Sequence, residues 1–462
     1  MTRVDRSRLP QVGPDPTFRL PTIVRHKLDN GLDVRTVEHH SVPVITMVVQ
    51  VDGGTGADPS DLEGLAAITA DMVDEGTGSL TALDVSEALA RIGGEYDVDV
   101  GPDATVFMVT TLTRFAERGA SLLGDLLIRP SLRSEDFERV RQLRLDRLKQ
   151  LKDLPPAVAE RSFLRLLYGS HPYGHLALGS DEALRAMRVD DTGRFHASTF
   201  QPHRATVIVA GALTHDQMVG VVEDAFGGWT GAKDNGNPVT VAAAIEPTAR
   251  APRLAVVPRE GAAQSELRIG HLSTRRNTPD YSALLVMNAV LGGQFVSRIN
   301  LKLREEKGYT YGARTGFDWH RGLAPFSMQA SVHTAATADA IRDSLDELDA
   351  IRGSRPATEN ELALAKASLT RGYPRNFETA QQVARGVAQL ALYDLPDTYF
   401  EHFVPRTNAV TVDDVTRVAT RYLDPAKVTT LIVGDHAQID ESLRALDLGP
   451  PQLLPSDPVQ AT

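Results

Sequence analysis

The chain has 462 residues, with 49 Lys and Arg against 60 Asp and Glu and a formal net charge of −11. That balance disfavours a nucleic-acid partner, whose phosphates demand an excess of cations. Cysteine is absent, which excludes disulfide scaffolds, thiolate metal sites and a Cys nucleophile, so any metal would rest on His, Asp or Glu.

Taken in chain order, residues 1–10 are charged and proline-containing, with no apolar run of signal-peptide length, and no later stretch is apolar enough to span a bilayer. The expectation is a cytoplasmic chain with no membrane partner; a mature secreted chain is the alternative. Residues 43–51 read as a strand, followed by Gly53-Gly54 and a helix. Residues 134–151 place Phe137, Val140, Leu143, Arg144, Leu148 and Leu151 at helical spacing and stop before Pro155-Pro156. His171 and His175 are four apart, but Pro172 and Gly174 put them in a loop rather than on one helix face. Residues 265–270 predict a strand, and residues 279–291 a helix.

The organisation follows from an internal repeat. Val189-Asp190-Asp191, Phe200-Gln201-Pro202 and the β-rich run ending at Gly211 recur in register as Val412-Asp413-Asp414, Leu423-Asp424-Pro425 and the run ending at Gly434. In each copy an acidic pair suits a helix N-terminus, a proline forces a turn and a strand ends at glycine. Strands and helices do not alternate as in a parallel doubly wound sheet. The predicted class is α+β: two homologous domains, each a mainly antiparallel sheet packed with helices. Their expected limits are 25–230 and 253–446, with a turn-rich linker at 231–252 and loose segments at 1–24 and 447–462.

No phosphate-binding glycine loop, nucleophile elbow or dinucleotide fingerprint is present, and no pair of histidines lies at zinc-binding helical spacing. Asp71, Asp74 and Glu75 stand at i, i+3 and i+4, a spacing that serves either a solvated acidic helix end or a hard-cation site.

The string Gly64-Leu65-Ala66-Ala67-Ile68-Thr69-Ala70-Asp71-Met72-Val73-Asp74-Glu75-Gly76-Thr77 resembles the zinc helix of the pitrilysin/insulinase family of metallopeptidases, Gly-Leu-Ala-His-x-x-Glu-His-Met-x-x-x-Gly-Thr. The resemblance extends through Leu89-Ala90-Arg91-Ile92-Gly93-Gly94, residues 122–130, Tyr168-Gly169-Ser170-His171-Pro172-Tyr173-Gly174 and the second half. It implies that Ala67 and Asp71 stand where two zinc histidines would, Ala70 where the general base would, and Asp146 or Arg147 near the third ligand; no metal is expected in this chain. Leu303-Arg304-Glu305-Glu306-Lys307-Gly308-Tyr309-Thr310-Tyr311-Gly312 is similar to the family segment that implies a role for Arg304 in holding peptide backbone and for Tyr311 in donating to the oxyanion. Alternatively Arg304 only complements a helix end and Tyr311 only fills a strand position. Gly292-Gly293 either admits substrate backbone or makes a tight turn.

The function this resemblance implies is a non-zinc subunit paired with a homologous zinc-bearing chain in a heterodimeric endopeptidase for peptides or small unfolded proteins, the zinc being the partner's. Two other readings stand beside it: a scaffold subunit like the core proteins of the respiratory bc1 complex, and an active peptidase with zinc displaced to His171, His175 and an acid.

Overall fold

The computed structural model describes residues 18–231 and 242–455. The first half contributes β1 (Ile23–Lys27), β2 (Asp33–Glu38), β3 (Val44–Asp52), β4 (Glu95–Val100), β5 (Ala104–Leu112) and β6 (Ala205–Gly211), in the sheet order β1-β2-β6-β3-β5-β4. The second contributes β7 (Leu254–Pro258), β8 (Gln264–Thr274), β9 (Thr310–Phe317), β10 (Ala324–His333), β11 (Thr429–Gly434) and β12 (Gln452–Leu453), in the order β12-β7-β11-β8-β10-β9. Apart from the two outermost strands the orders are superposable, with β2, β6, β3, β5 and β4 matching β7, β11, β8, β10 and β9. In both, the β2–β6 type of pair is parallel and the inner ladders are antiparallel. The two homologous α+β domains expected from the repeat are therefore present.

Central strands are buried on both faces, and alternation along them shows where each face goes. In the first sheet Met47, Val49, Phe107, Val109, Val207 and Val209 join the core formed with that half's own helices. Their neighbours Val48, Met108, Ile208 and Ala210 pack instead against Val383, Ala384, Val387 and Leu390 of the helix Ala380–Leu392, which belongs to the second half. The converse holds in the second sheet. Val256 and Ile432 face their own helices. Ala255, Val257, Leu431 and Val433 meet Val158, Ala159, Phe163 and Leu167 of the helix Pro155–Tyr168 from the first half. The equivalent helix of each repeat thus covers the other repeat's sheet.

Parts of the segments expected to be loose make defined contacts within the described residues. Phe18 lies 4.7 Å from the ring of Phe377 and 5.5 Å from that of Tyr373, and Leu20 is buried beside them. At the other end Gln452–Leu453 extends the second sheet in parallel with β7. In the linker, Ala242 is buried against Tyr173. Aromatic surface and an unpaired sheet edge would otherwise be left in water, which is why these segments are held. Residues 1–17, 232–241 and 456–462 lie outside the described residues. Among those described, no helix is long and apolar enough to cross a membrane.

Candidate functional site

The helix Leu65–Val73 carries the metal-motif positions. It starts at Gly64, whose φ of +92° and approach to Gly179, within 2.7 Å of where a Cβ would stand, leave no room for a side chain. Asp58 seats this helix start: its carboxylate accepts the Gly64 N–H at 2.8 Å and the Ala66 N–H at 2.7 Å. Burial pushes the Asp58 carboxyl up to about 8 against the pull of those two donors.

Ala67 and Ala70 are buried, and Asp71 is the exposed member of the helix. Arg144, on the helix Ser134–Leu151, donates to Oδ2 of Asp71 from Nε at 2.8 Å and from a terminal nitrogen at 2.6 Å, while its other terminal nitrogen donates to the Ala177 carbonyl at 2.9 Å. Two methyl groups and one carboxylate already held by a guanidinium do not fit zinc, which takes three protein ligands at a catalytic site.

Asp146 is not part of this arrangement. It is exposed and accepts from Gln142 at 3.1 Å. The helical rotation of about 100° per residue carries it to the side away from Arg144. Leu143, also expected inward, is exposed, whereas Arg144 is buried.

Nor does the loop offer a substitute site. His171 accepts the Tyr173 N–H on Nδ1 at 3.1 Å and meets the Ile245 carbonyl through Nε2 at 3.1 Å, so neither nitrogen is free to ligate. Among the described residues no three His, Asp or Glu side chains are placed to share a metal.

The acidic end of the motif helix is structured. Asp71, Asp74, Glu75, Tyr96, Asp97 and Arg144 line a cleft of about 500 Å³. Glu75 accepts from Arg139, and Asp97 accepts from Arg385 of the second half at 2.8 Å. Burial, then the Glu75 charge, pushes the Asp74 carboxyl up to about 6.

In the second half the chain leaves the helix Tyr281–Leu291 at Gly292, and β9 locks against the turn. The Thr315 N–H donates to the Gly292 carbonyl at 3.0 Å and its hydroxyl to Oδ1 of Asn288 at 2.7 Å. A Cβ at Gly292 would stand 2.5 Å from Oγ1 of Thr315, and one at Gly293 the same distance from Nδ2 of Asn288. Close packing of the turn leaves no room for a side chain at either glycine. Asn300 ties the next segment down, accepting the Ala313 N–H at 2.9 Å and donating to the Phe295 carbonyl at 2.6 Å.

Arg304 lies on a π-helical turn, Leu301–Glu306, a rare geometry often found at functional positions. Its guanidinium carbon stands 4.2 Å over the ring of Phe295, and its Nε is 3.5 Å from Glu305. Tyr311, on edge strand β9, is 90% exposed.

Gly292, Gly293, Phe295 and Tyr311 line one cavity of about 550 Å³. Arg304 is not part of its lining, but Phe295, on which it stacks, is. The same cavity contains residues the sequence reading missed: Arg268 and Glu266 pair at 2.7 Å while buried, Ser331 donates to Glu266, and Arg268 reaches Glu160 at 3.3 Å on the exchanged helix Pro155–Tyr168. The available signal was an Arg two residues after a Glu, on one face of the strand Gln264–Thr274.

The profile of the insulinase family, peptidase family M16, matches residues 34–180, and that of the peptidase M16 inactive domain matches residues 187–369. The chain belongs to the M16 family. An uncharacterized zinc protease of Mycobacterium tuberculosis (strain ATCC 25618 / H37Rv) is 25% identical over 425 residues, covering 91% of this M16 chain and 96% of that protein. A probable mitochondrial-processing peptidase subunit beta of Schizosaccharomyces pombe is 23% identical over 211 residues, 46% of each chain. Among solved structures, a peptidase M16 inactive domain from Pseudomonas fluorescens superposes with a TM-score of 0.81 at 21% identity, over 89% of this chain and 98% of that one. A protease from Helicobacter pylori gives 0.80 at 19% identity, over 90% and 100%. This is a zinc-protease-like M16 chain without the family's metal-binding side chains.

Proposed function

We propose that the chain is the non-zinc subunit of a two-chain zinc endopeptidase that cleaves peptides or small unfolded proteins. The observation that carries this reading is the contrast between the two halves. At the motif helix a guanidinium occupies the metal's surroundings, whereas in the second half Tyr311 projects almost fully exposed from the rim of a cavity. In the assembled enzyme Arg304 holds a peptide carbonyl with its planar fork, and the Tyr311 hydroxyl donates to the oxyanion as the scissile carbonyl becomes tetrahedral. The homologous partner supplies the zinc centre.

The test is reconstitution with a sister chain that carries His-x-x-Glu-His. The pair should cleave an unfolded peptide and lose activity on chelation, while this chain alone should be inert. Failure of the two chains to associate would sink the proposal.

The scaffold reading draws support from the stacking of Arg304 on its own Phe295 and its approach to Glu305, contacts that serve a purely structural arginine. It requires activity, if any, to be indifferent to both Arg304 and Tyr311.

A further inference from the structure

Phe295 leaves a large aromatic ring mostly in water, at 62% exposure, on the turn that follows the helix Tyr281–Leu291. The turn beneath it is anchored. The Phe295 carbonyl accepts from Nδ2 of Asn300 at 2.6 Å, and Oδ1 of the same side chain accepts the Ala313 N–H at 2.9 Å. Asn300 is buried and ends the short helix that runs into the π-helical turn of Arg304, while Ala313 stands two residues beyond Tyr311 on β9. One buried amide thus ties the backbone under the ring to the strand that carries Tyr311, from the segment that carries Arg304.

The guanidinium closes this circuit from above, its carbon 4.2 Å over the Phe295 ring. Its other neighbour is Glu305, 3.5 Å from Nε, and among the described residues neither terminal nitrogen donates a hydrogen bond. An exposed ion pair of that kind orders a long side chain weakly. An aromatic ring attracts the cation through its π face and occupies no lone pair, so the N–H fork stays available to carbonyl oxygens while the side chain is confined to one region. Confining a flexible group before the ligand arrives lowers the entropy lost on binding.

We propose that Phe295 is a positioning residue for Arg304. Its ring holds the guanidinium beside the cavity that Phe295 and Tyr311 line, with the donor fork free for a peptide carbonyl, and Asn300 keeps the ring in register with the Tyr311 strand. The inference rests on the reading of Arg304 as the residue that holds substrate, and adds what keeps that arginine in place. A ring that only shielded the turn would be replaced by any apolar side chain without consequence.

Steady-state kinetics of the reconstituted pair on one unfolded peptide tests it. Phe295→Leu keeps an apolar side chain and removes the π face; it should raise KM by about threefold to tenfold, leave kcat nearly unchanged and melt with the parent protein. Phe295→Tyr retains the face and should return KM to within about twofold of the parent value. In an Arg304→Ala background Phe295→Leu should add nothing, because the cation it holds is gone. If Arg304→Ala raises KM while Phe295→Leu leaves it unchanged or lowers it, or if Phe295→Leu acts equally with and without Arg304, the inference is overturned and the functional reading stands. A pair that does not assemble, or whose kinetics are indifferent to Arg304→Ala, overturns the functional reading and this inference with it.

Discussion

Both Nε and a terminal nitrogen of Arg144 converge on a single oxygen of Asp71, at 2.8 and 2.6 Å. A positive charge from the chain itself thus stands beside the position that the family motif gives to a metal-binding histidine. Restoring the motif alone should therefore not restore the metal. The triple variant Ala67→His, Ala70→Glu, Asp71→His is expected to hold little zinc, because the guanidinium repels the ion and fills its space. Adding Arg144→Glu should raise the zinc content substantially, as read by elemental analysis after gel filtration.

Substitutions at the two second-half residues should separate binding from chemistry in the reconstituted pair. Arg304→Ala removes a contact made to ground state and transition state alike and is expected mainly to raise KM. Tyr311→Phe removes a donor needed when the oxyanion forms and should lower kcat by about 10²-fold with little change in KM. Steady-state kinetics on one peptide distinguishes the two, and equal, negligible effects would favour the scaffold reading.

Gly292→Ala should destabilise the fold rather than alter substrate binding. The new methyl would meet Oγ1, Cγ2 and the backbone nitrogen of Thr315 at 2.5 to 2.9 Å, a clash with an anchored strand. A loss of about 1–3 kcal/mol is expected in denaturant melts. A variant as stable as the parent would return the glycine to the substrate-access reading.

Asp74 gives the stability of the protein a pH dependence of definite sign. Its carboxyl is raised to about 6, so the folded chain keeps a proton that the unfolded chain has already released. The contribution is therefore fully favourable at low pH and is lost as pH rises from about 4 through 6. Asp74→Asn should stabilise the protein by roughly 1–3 kcal/mol near pH 8, and by distinctly less near pH 5. Urea melts at the two pH values measure the difference.

The exchanged helices predict one cooperative unit. Without Ala380–Leu392, the face of the first sheet that holds Val48, Ile208 and Ala210 would be bare. A chain ending at residue 231 should aggregate or bind a hydrophobic dye, whereas the full chain should melt in a single calorimetric transition. Two well-separated transitions would show that the halves are independent.

The candidate site was legible where it depended on identity and spacing. Ala67, Ala70 and Asp71 sit on one helix, Tyr311 on the following strand, and Gly292 and Gly293 in a turn, all within local reach of the sequence. Of the two positions offered for the third ligand, Arg147 lines the cleft beside Asp71 and Asp146 does not, because one residue on a helix turns the side chain by about 100° and alignment by motif does not resolve that. Arg144 went unassigned because an arginine at helical spacing looks the same whether it ends in solvent or on a carboxylate from another helix.

By itself the sequence determined the two-fold repeat, the α+β class, the family and the erasure of the zinc ligands. Each of these is written in residue type and periodicity, which local geometry converts directly into strands, helix faces and missing lone pairs. Only the tertiary structure decided that equivalent helices are exchanged between the sheets, that Arg144 rather than Asp146 meets Asp71, and that a side chain at Gly292 or Gly293 would clash with Thr315 or Asn288. These are contacts between residues far apart in the chain, and which partners meet is settled by burial and close packing over the whole fold.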